Sequence, residues 1–126
     1  MKKIITTPLA PAPIGPYNQA ILVDNTLYTS GQIALDPKSG NLILDDIKSE
    51  THQVMKNLKA VLKAADMTFA HVIKATIFIS NMDDFLIIND VYGSYFDHAV
   101  APARETVQVA RLPKDVHVEI SMIAIN

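Results

Sequence analysis

The chain has 126 residues, 49% of them apolar and 19% charged, and a formal net charge of −2; this is the balance of one globular domain over residues 1–126 with a real core. The charge gives no electrostatic footprint for nucleic acid or an anionic membrane. The absence of cysteine excludes disulfides, cysteine zinc sites and a thiol nucleophile, while the N-terminus lacks a signal-peptide core and no apolar run nears the roughly 20 residues that span a bilayer, so the chain reads as cytosolic.

Residues 2–6 predict a short edge strand, because Pro8 follows closely. Pro8, Pro11, Pro13 and Pro16 with Gly15 make residues 8–16 an extended, stiff loop. Tyr17 ends it, and its ring needs no more than a place at the edge of the core. Residues 20–23 and 26–29 are strand-like about Asp24 and Asn25, a pair that tolerates positive φ and predicts a tight hairpin. The second strand runs into Ser30, Gly31 and Gln32, where Gly31 permits a close backbone approach or a bulge. Residues 36–41 form a surface turn.

Asp45 or Asp46 caps a helix that runs to about Ala65. Its apolar stripe is Ile47, Val54, Leu58, Val61, Leu62 and Ala65, and Lys48, Lys56, Lys59 and Lys63 face water. Residues 72–80 alternate, with Ile73, Ala75, Ile77 and Ile79 on one face and Val72, Lys74, Thr76, Phe78 and Ser80 on the other. A second helix starts near Asp83 or Asp84 and buries Phe85, Ile88, Tyr92, Tyr95 and Phe96, with Asn89 one turn from Phe85 on the same flank. Strand-like runs at 104–110 and 116–125 flank a turn with Pro113, Lys114 and Asp115, and the stretch 102–125 that holds them carries Arg104, Arg111 and Glu119.

About six strands and two helices make an α+β fold in which the helices cover one face of the sheet. The other face keeps Phe78, Ile123 and Ile125 beside Glu119, which favours a homo-oligomer packed through that face. Arg104 and Glu119 then sit at the rim of an interface, where water is partly excluded.

Most catalytic patterns are missing. There is no G-x-S-x-G elbow, and His52, His71, His98 and His117 are scattered, which argues against a Ser-His-acid triad. The glycines are isolated, so no phosphate loop exists. His117 and Glu119 share a strand face but lack a second pair of metal ligands. What remains is an anion fork at Arg104, a carboxylate at Glu119 that could polarise water, a backbone approach point at Ser30 and Gly31, and Tyr17. On the residues alone, Arg104 pairs with adjacent Glu105 at the surface, and the reading ends at a small α+β oligomer with a candidate anion pocket.

Four segments carry a resemblance: IGPY at 14–17, TSGQI at 29–33, KATIFI at 74–79, and PAR at 102–104 followed by VQVARLPKDVHVEI at 107–120. Along its whole length the chain resembles the Rid (YjgF) family of reactive-intermediate deaminases, and with Arg104 and Glu119 together its RidA subgroup. The resemblance implies a chorismate-mutase-like fold assembled as a homotrimer, with active sites in the clefts between subunits. It implies a cofactor-independent imine hydrolase, a 2-iminobutanoate/2-iminopropanoate deaminase. Such an enzyme converts 2-imino acids and enamines such as 2-aminoacrylate, released by pyridoxal-phosphate enzymes, to 2-keto acids and ammonia. Neither metal nor covalent nucleophile is required.

In that picture Arg104 binds the substrate carboxylate bidentately, and the backbone at Gly31, beside Ser30, orients the substrate. Glu119 holds and polarises the attacking water. Tyr17 lines the pocket from a neighbouring subunit, and Asn89 sits close to it. Two departures stand out: Val107 where many relatives have cysteine, and Asp66 where the helix often ends in glycine. Two other readings compete. One is an RNA-directed translation inhibitor or endoribonuclease, against which the acidic balance argues; the other is a non-catalytic trimer that binds a small carboxylate.

Overall fold

The computed structural model describes residues 1–126. The strands are β1 (Lys2–Ile5), β2 (Ala20–Val23), β3 (Thr26–Thr29), β4 (Val72–Ile79), β5 (Ala103–Gln108) and β6 (Val118–Ile125), and the two α-helices are α1 (Ile47–Ala64) and α2 (Phe85–Gly93). The six strands form one sheet in the order β1-β2-β3-β6-β4-β5. All neighbours are antiparallel except β4 and β5, which are parallel because α2 lies between them in the chain.

Local chemistry sets the boundaries. Asp24 takes a positive φ of 52° in the β2–β3 turn, and Asp46 caps α1 by accepting the Ser49 N–H at 2.7 Å. Asp66 ends α1 at φ 57°, where the Met67 N–H returns to the Leu62 carbonyl at 2.9 Å. Pro113, Lys114 and Asp115 make a short 3-10 turn in which Lys114 and Asp115 both have φ in the left-handed region, 57° and 56°. Arg111 braces that turn by donating to both oxygens of Asp115, at 2.6 and 3.1 Å.

The core lies between the sheet and the two helices. Leu27, Ile77, Ile79, Ile120 and Met122 from the strands meet Val54, Leu58, Leu62 and Ile88 from the helices, all essentially without solvent. Each large apolar side chain buried there contributes about 1.5–3 kcal/mol of transfer free energy.

Three expectations are corrected. Ile73 does not join the buried face of β4: a bulge between Val72 and Lys74 turns it outward, and Val72 is buried in its place. Tyr95 and Phe96 lie beyond the end of α2, although both still pack on the core. The two C-terminal strands are shorter than their apolar patterns and are not partners, because β4 inserts between them.

The face of the sheet away from the helices carries Ile4, Val23, Tyr28, Val107 and Ile125, all exposed. Phe78 and Glu119 are paired across β4 and β6 on that same face.

Candidate active site

The first half of the site gathers at the N-terminal end of β6. Glu119 packs against the backbone of Gly31, just past the end of β3. A Cβ built on Gly31 would stand 2.7 Å from the Glu119 carboxyl carbon, so glycine lets the carboxylate lie where any larger residue would push it aside. Tyr17, Ser30, Gly31 and Glu119 line one cavity of about 540 Å³ together with Lys114 and the apolar wall of Ile14 and Ile33. Partial burial in this cavity raises the pKa of Glu119 above its ordinary value.

Two buried amides shape the cavity walls. Gln19 holds the proline-rich loop: its side-chain N–H groups donate to the carbonyls of Thr7, Ala10 and Pro11, at 3.0, 3.2 and 2.9 Å, and its oxygen accepts the Thr7 N–H at 2.7 Å. Asn57 on α1 donates to the carbonyls of Ile33 and Leu35, at 3.0 and 2.9 Å. These contacts satisfy backbone groups that no strand takes up. Ser30 directs its hydroxyl proton to the Asn18 carbonyl, so the hydroxyl holds the loop. Tyr17 is half exposed, with its hydroxyl accepting the Ile14 N–H at 3.4 Å.

The second half lies on the other side of the sheet. Arg104 on β5 pairs in register with Ala75, a core residue of β4, and therefore points to the helix side. Its Nη1 donates to Asn89 Oδ1 at 2.7 Å. Its Cζ lies 5.2 Å from the Tyr92 ring centroid and 5.8 Å from that of Phe85. Phe85, Asn89 and Tyr92 follow one another at i, i+4 and i+7 on α2, so one helix face presents a cradle for the guanidinium. Burial pushes the Tyr92 phenol up to about 12, against the opposing influence of Arg104, and its hydroxyl has no hydrogen-bond partner.

The expected surface pair of Arg104 with Glu105 does not form: Glu105 alternates to the open face and pairs with Lys74. Within one chain, Tyr17 shares a cavity with Ser30, Gly31 and Glu119, while Arg104 and Asn89 line a separate cavity with Tyr92 and His98. His117, weighed as a metal ligand beside Glu119, instead turns Nδ1 to Glu50 at 2.7 Å.

Sequence reasoning found the charged groups and missed their supports. Gln19, Asn57 and Glu50 are each isolated polar residues whose partners lie far along the chain, and nothing local marks them. Phe85 and Tyr92 were legible as a buried stripe, but not as the bed of an arginine. Lys114 was visible only as part of a turn.

Comparison with known proteins adds a family. The family model described as Endoribonuclease L-PSP matches residues 7–126. A RutC family protein of Synechocystis is 51% identical over 98% of this chain and 95% of its own length. A bovine protein named 2-iminobutanoate/2-iminopropanoate deaminase is 48% identical over 100% of this chain and 91% of its own. Among solved structures, E. coli TdcF with bound serine superposes with a TM-score of 0.93 at 43% identity, covering 98% of each chain.

Proposed function

The chain belongs to the YjgF/Rid (endoribonuclease L-PSP) family, and from that premise we propose that it hydrolyses reactive 2-imino acids to 2-keto acids and ammonia. The observation that carries this reading is Glu119. Its carboxylate is held against the Gly31 backbone in a cavity large enough for a small amino-acid derivative, and its proton affinity is raised by burial. A carboxylate so placed is a general base for a water molecule.

Arg104 supplies the recognition. The cradle on α2 leaves its guanidinium oriented, and a bidentate pair with a 2-imino carboxylate suits its fork. The reaction then balances as follows. Water adds to C2 of the protonated imine while Glu119 takes its proton, giving a neutral carbinolamine. Glu119 passes that proton to the nitrogen, the C–N bond breaks, and the hydroxyl returns its own proton to the Glu119 carboxylate as the carbonyl forms and ammonia leaves. An enamine such as 2-aminoacrylate enters after tautomerising to the imine. Because the imine carbon is already electrophilic, the work left to the protein is positioning and polarisation.

The two halves of the site meet when Arg104 of one copy faces the Glu119 cavity of the next. The exposed apolar side chains of the open sheet face supply the contact surface for such an assembly, which we take to be a homotrimer. The bovine relative's name supports the substrate class, and the serine bound to TdcF supports a small amino-acid-like ligand.

The test is pyruvate release from 2-aminoacrylate generated in situ by a dehydratase, with semicarbazide competing for the imine. The expected result is faster pyruvate release and less semicarbazone with the protein than without it, and no acceleration by the Glu119→Gln variant. Equal rates with and without wild-type protein would overturn the deaminase reading.

A further inference from the structure

Glu50 is an ionisable side chain that the proposed chemistry does not use, yet it is among the most buried in the protein, at 1% relative exposure. It sits in the first turn of α1, where the helix N-terminus favours a negative charge. Its two oxygens are fully engaged across the fold. Oε2 accepts the backbone N–H of His117 at 2.7 Å and that of Val118 at 3.3 Å, and Oε1 meets His117 Nδ1 at 2.7 Å. Three donors and a helix terminus compensate a carboxylate that would otherwise be costly to bury.

The place these bonds converge on gives them a role. His117 and Val118 are the two residues immediately before Glu119. On the flank of β6 that faces β3, regular pairing stops at Tyr28 with Ile123. Beyond it only one bridge continues, Gln32 with Ile120, with N–H···O distances of 2.8 and 3.1 Å. On the other flank the Ser80 N–H reaches the His117 carbonyl at 3.1 Å, while the His117 N–H turns away to Glu50. The backbone carrying Glu119 is thus paired with β4 on one edge, held by the single Gln32 bridge on the β3 edge, and braced just before Glu119 by Glu50 of α1 through the N–H groups of His117 and Val118. The carboxylate it carries packs closely on Gly31, where an added methyl would have to displace it.

We propose that Glu50 and His117 form a positioning pair that sets where Glu119 stands over the Gly31 backbone, and so controls the rate of the chemical step. The inference rests on the reading of Glu119 as the group that activates water. It separates two functions by element: Arg104 on β5 and α2 governs binding, while the α1-to-β6 brace governs turnover.

The experiment compares His117→Ala, Glu50→Gln, Glu119→Gln and Thr51→Val with wild type in the imine hydrolysis assay, together with keto-acid binding and thermal unfolding. Thr51 is a buried neighbour of Glu50 whose hydroxyl bonds only within α1, to the Ile47 carbonyl, and its variant reports a purely structural loss. The expected result is a fall in kcat of roughly tenfold or more for His117→Ala and Glu50→Gln, because displacements of this kind weigh heavily on a positioned base. KM and the keto-acid Kd stay within about twofold, since Arg104 is untouched. His117→Gln, which keeps a donor within reach of Glu50, recovers part of the loss, and Thr51→Val lowers Tm without lowering kcat. His117 is half exposed at its side chain, so its variants carry the test if Glu50→Gln does not fold. Wild-type kcat in His117→Ala beside an inactive Glu119→Gln would overturn the positioning pair and leave the deaminase reading standing. A fully active Glu119→Gln would overturn both.

Discussion

Arg104 and Glu119 stand on opposite faces of the same sheet. Arg104 pairs with Ala75 and Glu119 with Phe78 on the shared neighbour β4, and the odd offset between these two partners puts the side chains on opposite sides. Three residues along β4 and two strand spacings across it separate their backbones by about 14 Å. Within one chain the two cannot hold one small substrate. A site that uses both must be shared between copies.

Sharing makes a complementation test possible. Arg104→Ala and Glu119→Gln, each inactive alone, should regain activity after mixing under conditions that allow subunit exchange, because some interfaces then unite an intact Arg104 with an intact Glu119. With random exchange of equal amounts, about a quarter of the interfaces are intact. Imine hydrolysis by the mixture, measured against wild type, checks it; no recovery despite proven exchange would overturn a site that uses Arg104 of one copy and Glu119 of another.

Arg104→Lys should bind keto acids and imino acids roughly tenfold to a hundredfold more weakly. Lysine keeps the charge but loses the fork and the matching planar contact with Tyr92 and Phe85. Calorimetric titration with a 2-keto acid reads the change directly.

Gly31→Ala should fold and lose turnover. The added methyl would stand 2.7 Å from the Glu119 carboxyl group, and the flexible end of that side chain yields more easily than the backbone. A shift of the base by about 1 Å is enough to cost up to a hundredfold in rate. An unchanged kcat would show that the close approach is incidental.

The acidic limb of the kcat/KM profile should lie above the ordinary carboxylate value of 4.5, because burial raises the pKa of Glu119 and the base must be ionised to act. Activity therefore rises with pH through this raised value and is lost below it. The limb should vanish with Glu119→Gln; a limb at or below the ordinary value points to a different base.

Tyr92→Phe should leave binding unchanged and stability equal or slightly higher, since the hydroxyl removed is buried and unpartnered. Tyr92→Leu removes the aromatic face under Arg104 and should weaken keto-acid binding by about 1 kcal/mol, near fivefold. Denaturation midpoints and titration of both variants separate the two effects.

Much of this protein is determined by short-range pattern. The apolar stripes of the helices, the hairpin about Asp24, the cap at Asp46 and the need for glycine at 31 each depend on a few adjacent residues, and the structure reproduces them. The open apolar face was legible too, from counting helices against the sheet. The quoted segments carried the family.

Tertiary structure alone decided where the charged groups point. Alternation fixes which residues of a strand share a face, but not which face that is or which strand lies next to it. The bulge at Ile73, the insertion of β4 between β5 and β6, and the parallel register of β5 are all set by long-range pairing. They send Arg104 to α2 and Glu105 to Lys74, and leave Glu119 over Gly31. The buried partners Gln19, Asn57 and Glu50 answer backbone groups up to 68 positions away in the chain, beyond the reach of any local pattern. The sequence held the reactive groups; the pairing of distant strands, which follows from burying one continuous core, put them on opposite faces.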